Sequence, residues 1–217
     1  MDRATLNLRA RFATTAAMKL KHLDLILAVC LTGAGLSICL PEFTSFASTC
    51  LLASGNYHAM KNEFRAAVDD FDKAIWLNPK NSKAFVSRGG AYNGLERYAD
   101  GVTSSTKAIS MYPDCAEAYA NRAYAYNELK DYQKAVNDYT AAISLDSSDI
   151  DDFVMRGRAY ASMGQHNKAV ADYDTAIKMN VQCGDAYHWR SLSYEHLGKH
   201  AQAENDRAAG LMYGFKH

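Results

Sequence analysis

Arginine and aspartate side chains recur at a fixed spacing along the chain. The arginines are 34 residues apart and the acids fall in the same rhythm: Arg88, Arg122, Arg156 and Arg190, with Asp70, Asp138, Asp172 and Asp206. A guanidinium can hold a carboxylate through two parallel hydrogen bonds, and a row of guanidiniums could also bind an anionic ligand. Because an acid accompanies almost every arginine, we predict a ladder of ion pairs that joins helices. The spacing leaves open whether each pair lies within a repeat or between neighbours.

Other reactive side chains are few. His196 and His200 are four residues apart, a spacing that could hold a metal on a continuous helix, but Gly198 interrupts it. Beyond the N-terminal segment the cysteines are odd in number (Cys50, Cys115 and Cys183), and stacked repeats would hold the last two farther apart than the ~7 Å limit for a disulfide. The sequence contains no glycine-rich phosphate loop, nucleophile elbow or paired-carboxylate motif. We therefore predict no metal, no cofactor and no catalysis.

The elements that position these residues follow a period of 34 residues from Ser48 to the end of the chain. The blocks are 48–81, 82–115, 116–149, 150–183 and 184–217. In the first half of each block, a large residue stands at place four, a small one at place eight and an aromatic one at place eleven. In the second half, small residues stand at places twenty and twenty-seven, and place twenty-four between them is mostly aromatic. The third block shows the pattern best: Tyr119, Ala123, Tyr126, Ala135, Tyr139 and Ala142. Spacings of three and four place each set on one stripe of a helix.

These columns resemble the tetratricopeptide repeat, and the resemblance covers 48–217. It implies an all-α fold: a right-handed superhelical α-solenoid of five helix-turn-helix repeats. The fifth block departs from the pattern, because Arg207 replaces the aromatic residue and the last helix is polar. We interpret it as the cap of the stack. The apolar residues Leu211, Met212, Tyr213 and Phe215 then either fold back or make a homotypic contact.

The resemblance also implies a function, because ligands of the family lie in the concave groove lined by the first helices. The groove places carry Asn56, Lys83, Asn93, Asn121, Tyr124, Asn127, Arg158, His188 and Trp189. Asparagine and tyrosine side chains suit hydrogen bonding to an extended peptide. The basic residues of the clamp that holds chaperone tails are missing. We therefore predict a non-catalytic scaffold or adaptor for a protein or peptide partner, and a structural, self-assembling oligomer anchored in a membrane is the alternative.

The charge balance and the first 47 residues bear on location. The 24 basic and 24 acidic residues cancel, which argues against nucleic-acid binding. Residues 1–47 form a leader, in which basic residues precede an apolar run over 23–40 and small residues end at Ala47. This order predicts a signal peptide cleaved near Ala47 and an exported protein, periplasmic or secreted. A membrane anchor over 23–40 and an organelle presequence are the alternatives, and the chain starts at Met1 or Met18.

Overall fold

A computed structural model describes residues 41–215, and that part of the chain contains ten α-helices. They are α1 (Pro41–Met60), α2 (Phe64–Leu77), α3 (Ser82–Gly94), α4 (Tyr98–Met111), α5 (Ala116–Glu128), α6 (Tyr132–Leu145), α7 (Ile150–Ser162), α8 (His166–Met179), α9 (Gly184–His196) and α10 (His200–Met212). The odd-numbered helices are the first helices of five pairs, and the even-numbered helices are the second. The predicted all-α array of paired helices is thus confirmed.

The helices begin where the 34-residue period places them. Helices α3, α5, α7 and α9 start at the first residue of their blocks, and each has 13 residues. Helix α1 has 20 residues and begins at Pro41, a residue type favoured in the first helical turn. The turn inside each pair passes through a left-handed residue at place fifteen. Glycine fills this place in the last two pairs, as Gly164 and Gly198, and Asn62, Glu96 and Lys130 fill it in the others.

Small and aromatic columns form the core, as predicted. The alanines at places twenty and twenty-seven of the second helices are fully buried, and so are Phe71 and Tyr173 between them. The first helix approaches these rings closely at place eight, because a Cβ on Gly55 would lie 2.5 Å from Phe71 and one on Gly157 would lie 2.6 Å from Tyr173. Burial of each aromatic side chain stabilises the folded state by about 1.5–3 kcal/mol. One pair cannot enclose its rings alone, which is why the pairs stack.

The arginine–aspartate ladder forms in three of the five repeats, and each pair lies within its own repeat. Arg122 holds Asp138 through Nε and Nη2 at 2.7 and 2.8 Å, and Arg156–Asp172 and Arg190–Asp206 have the same two-pronged geometry. The remaining Nη1 of each arginine reaches back to the preceding second helix, to Thr106, Thr140 or Asp174. Each guanidinium therefore joins three helices.

The first two repeats depart from the predicted ladder, because serine replaces one partner in each. Asp70 accepts a hydrogen bond from Ser54 at 2.6 Å, since repeat 1 has no arginine at place seven. Arg88 donates to Ser104 at 3.1 Å and to Asp72 of the preceding repeat, since repeat 2 has no aspartate at place twenty-three. Asp70 thus has no arginine partner, contrary to the prediction, whereas Arg88 does form an arginine–aspartate pair, but with Asp72 of the preceding repeat and not with one of the predicted aspartates.

The C-terminal segment folds back onto α9. Tyr213 packs on Tyr187 with ring centroids 5.6 Å apart, and Phe215 stacks on His188 at 3.7 Å. A Cβ on Gly184 would meet the backbone of this segment at 3.0–3.1 Å, so the glycine permits the close approach. Leu211 and Met212 stay exposed. Of the two predicted arrangements of the apolar tail, the aromatic residues Tyr213 and Phe215 therefore adopt the fold-back.

The described residues include the reactive side chains named above but only the last part of the leader. Cys50, Cys115 and Cys183 are free thiols. Helix α9 ends at His196 and α10 begins at His200, so Gly198 separates the two histidines as predicted, and His200 instead contacts Glu195 at 2.8 Å. None of the helices between residues 41 and 215 is long and apolar enough to cross a membrane. The predicted apolar run over 23–40 lies outside the described residues.

Candidate partner-binding site

Three open cavities follow one another along the first helices. The first, of about 840 Å³, lies between α1, α3 and α5 and is lined by Asn56, Lys83 and Asn121. The second, of about 400 Å³, is centred on Tyr124 and the start of α7. The third, of about 390 Å³, contains Arg158 and Trp189. We call this row of cavities the groove. Eight of the nine residues that the sequence assigned to partner binding line it, and His188 is the exception.

The predicted asparagines divide into one exposed residue, two that bond neighbouring first helices, and one, Asn127, whose buried Oδ1 has no hydrogen-bond partner among the described residues. Asn56 is exposed, whereas Asn93 and Asn127 are buried. Asn93 donates to the Asn121 carbonyl at 2.8 Å, and Asn121 donates to the Val86 carbonyl at 3.3 Å. These amide hydrogens therefore already join neighbouring first helices. Of the four predicted asparagines, Asn56 is therefore the one that is exposed at the groove surface.

Aromatic and charged side chains form the middle and far part of the groove. Tyr124 is half-buried beside Tyr98, with ring centroids 6.4 Å apart, and burial is the main reason that its pKa is raised. The guanidinium of Arg158 lies 4.4 Å from the Trp189 ring, a cation–π arrangement that holds both side chains at the groove surface. His188 lies under Phe215, so its ring face is covered by the chain's own C-terminal segment.

An acidic group at the start of α7 was not predicted. Asp149 accepts a hydrogen bond from the Asp151 amide at 3.0 Å and caps the helix, and Asp151 and Asp152 occupy its first turn. All three line the second cavity. Asp152 is buried, which is unusual for a carboxylate without a bonding partner. The sequence carried a signal for it, because the same place is alanine in three other repeats (Ala84, Ala118 and Ala186).

The surroundings of Asp152 disfavour its charged form. Burial first, and then the neighbouring carboxylates Asp149, Asp151 and Asp146, raise its pKa from 3.8 to about 7 against a smaller opposing effect of Arg156. Arg156 relieves little of this charge because its guanidinium is bonded to Asp172. The second cavity is therefore a place where a positive charge from outside would be stabilised.

Sequence comparisons identify the repeats directly. Models of the tetratricopeptide repeat match residues 116–149 and 154–211. These matches show that the chain contains tetratricopeptide repeats, and the ten paired helices of residues 41–215 are consistent with about five of them. No curated protein sequence matches it significantly. Such repeats form protein–protein interaction domains and generally act as non-catalytic scaffolds with protein or peptide partners, and no catalytic domain is found.

Solved structures show the same helical array. A MamA structure has a TM-score of 0.68 at 25% identity and covers 77% of this chain and 91% of its own. YrrB, a tetratricopeptide-repeat protein with an unusual peptide-binding site, has a TM-score of 0.65 at 17% identity over 78% of this chain and 88% of its own. TTC0263, a thermophilic protein of Thermus thermophilus, has a TM-score of 0.65 at 18% identity over 77% and 92%. The last two similarities support the fold alone.

Proposed function

We propose that the chain is a non-catalytic adaptor that binds an extended segment of a partner protein in the groove. The observation that carries the proposal is the row of three cavities along consecutive first helices, each with exposed or half-buried polar and aromatic side chains. Asn56, Tyr124 and Trp189 provide hydrogen-bonding and stacking contacts that suit a peptide. The guanidinium ladder holds the helices together, so little ordering entropy is lost by the groove on binding.

Partner capture by the full chain from its native host tests this proposal. We expect the variant Tyr124→Ala, Trp189→Ala to lose a specific partner, because both aromatic side chains line the groove. Trp76→Ala is the matched control: its side chain is 71% exposed on α2, outside the three cavities. Equal capture by the double variant and the control, with unchanged helicity, would contradict groove binding.

Self-assembly is the second candidate, and one observation favours it. Leu211 and Met212 are 54% and 78% exposed at the end of α10, where a second copy could cover them. Sedimentation of the full chain at several concentrations tests the idea. A mass that rises with concentration and falls in Leu211→Ser, Met212→Ser supports self-assembly, and a monomer at all concentrations rules it out.

We further propose that residues 1–47 act as an export signal. The length of α1 supports this: cleavage after Ala47 would leave 13 residues, the length of every other first helix. Intact mass of the protein from its host tests the proposal. A chain beginning near Ser48 in an exported fraction supports export. A chain that keeps Met1 or Met18 contradicts cleavage and favours the membrane anchor over 23–40.

A further inference from the structure

Asp152 occupies a position where three other repeats have a buried alanine. Ala84, Ala118 and Ala186 are fully buried at this place, and Asp152 is 5% exposed. A carboxylate is costly in such surroundings unless it has a partner. The preference of helix N-termini for acids explains Asp149 and Asp151, which are exposed. It does not explain a buried acid at the third place, because α5 and α9 carry their first-turn acid at the exposed second place (Glu117 and Asp185) and have alanine at the third.

The cavity next to Asp152 carries negative charge that the chain does not neutralise. Three carboxylates line it and no lysine or arginine does. Within residues 41–215, the Asp152 carboxylate makes no hydrogen bond or ion pair. The other walls include the apolar side chains of Phe64 and Met155 and the ring of Tyr124. The cavity volume of about 400 Å³ falls in the range of about 300–1,000 Å³ that is typical of ligand sites.

We propose that the bound segment inserts a lysine or arginine side chain into this cavity, with its cationic end against Asp152. The inference rests on the groove function proposed above and specifies what the groove selects. Phe64 and Met155 suit the aliphatic part of such a side chain, and Tyr124 offers a ring face to the cation. A metal ion is a poorer occupant, because the described residues contain no group of three His, Cys, Asp or Glu side chains placed to hold one.

Short peptides test the selection without knowledge of the partner. The probes are four capped pentapeptides, Ala-Ser-X-Ser-Ala, in which X is lysine, arginine, norleucine or glutamate. NMR spectra of the isotope-labelled full chain report both affinity and location. We expect the lysine and arginine peptides to shift the amides of α7 around Asp152 and of α5 around Tyr124. The norleucine and glutamate peptides should bind at least about tenfold more weakly, and added salt should weaken the cationic peptides.

Variants connect the selection to Asp152. Asp152→Ala installs the residue of the other repeats, and Asp152→Asn keeps the size without the charge; both should weaken the lysine peptide by about tenfold or more. Asp69→Asn removes an exposed acid of α2 outside the cavity and should change nothing. Retention of lysine-peptide binding in both Asp152 variants would overturn the inference, and so would shifts caused by Ca²⁺ alone.

The outcomes also separate this inference from the groove function. If all four peptides shift groove amides equally, the groove binds peptides but the selection of a cation is wrong. If the lysine and arginine peptides leave the amides near Asp152 unshifted up to millimolar concentration, the inference fails. Partner capture with the Tyr124→Ala, Trp189→Ala variant still decides the groove function in that case.

Discussion

Replacement of Asp152 by alanine should stabilise the protein, and by more at high pH than at low pH. The folded state raises the pKa of this carboxyl from 3.8 to about 7, so it binds the proton more tightly than the unfolded chain does. Protonation of Asp152 therefore favours the folded protein at low pH, and this contribution to stability is lost as the pH rises through 7. A shift of about three units at about 1.4 kcal/mol each sets an upper limit of about 4 kcal/mol above pH 8, and screening by solvent in the open cavity lowers the expected cost to about 2–4 kcal/mol.

The linkage relation between pKa and stability also gives the cost of the charged Asp152 carboxyl at lower pH. The cost of the charged carboxyl is at most about 1 kcal/mol at about pH 4.5, so the gain in stability on replacement should grow by about 1–3 kcal/mol between the two conditions. Groups facing Asp152 from neighbouring elements are Asp146 and Asp149 in the preceding loop, Tyr139 of α6, and Asp151 and Arg156 of α7. All remain in the variant. A comparison of variant and wild type at each pH therefore isolates Asp152.

Urea unfolding followed by circular dichroism measures the effect. Asp152→Ala leaves no enlarged cavity relative to other repeats, because Ala84, Ala118 and Ala186 are fully buried at the same place. Asp152→Asn should remove the same pH dependence while gaining less stability, since it buries an amide without a partner. Asp69→Asn should follow the wild type. Destabilisation by Asp152→Ala at high pH, or a gain independent of pH, would refute the reasoning.

Three further predictions concern the stack and its end. Arg122→Ala should lower the free energy of unfolding by about 2–4 kcal/mol, because it leaves Asp138 buried without its partner. Arg97→Ala breaks an exposed pair with Asp100 and should cost less than about 1 kcal/mol in the same urea titration. Gly184→Ala should cost about 1–3 kcal/mol, since its Cβ would press on backbone at 3.0–3.1 Å; full stability in thermal unfolding would show that the segment is not packed there. Phe215→Ala should cost about 1–2 kcal/mol and raise the hydrogen exchange of the end of α10 and the start of α9, where its ring stacks on His188; unchanged exchange would contradict the fold-back.

The sequence predicted the array well because its columns repeat without gaps. Four first helices start at the first residue of their blocks, and the small and aromatic columns form the core. The guanidinium ladder was predicted as a set of pairs, but its second contact was not. That contact follows from place twenty-five, where Asp72, Thr106, Thr140 and Asp174 provide an oxygen to the next arginine.

The candidate site was harder to predict, because the repeat pattern gives the position of each residue on a helix but not the hydrogen bonds that its side chain makes. Asn93 and Asn121 stand at groove places, yet their amides donate to the chain's own carbonyls. His188 lies under Phe215, a contact that depends on how the last block ends. Asp152 does not stand at one of the family's groove places, although a charged residue in a column of alanines is visible in the sequence.

Site-specific photocross-linking tests the central claim, that the groove holds a partner segment, most directly. A photoreactive phenylalanine analogue replaces Tyr124 in the groove or Trp76 outside it, in the full chain within its native host. Groove binding predicts that the Tyr124 position yields cross-links to one segment of one partner protein and that the Trp76 position yields none to that segment. Cross-links to the same partner from Trp76 alone, or the same set of proteins from both positions, would contradict it.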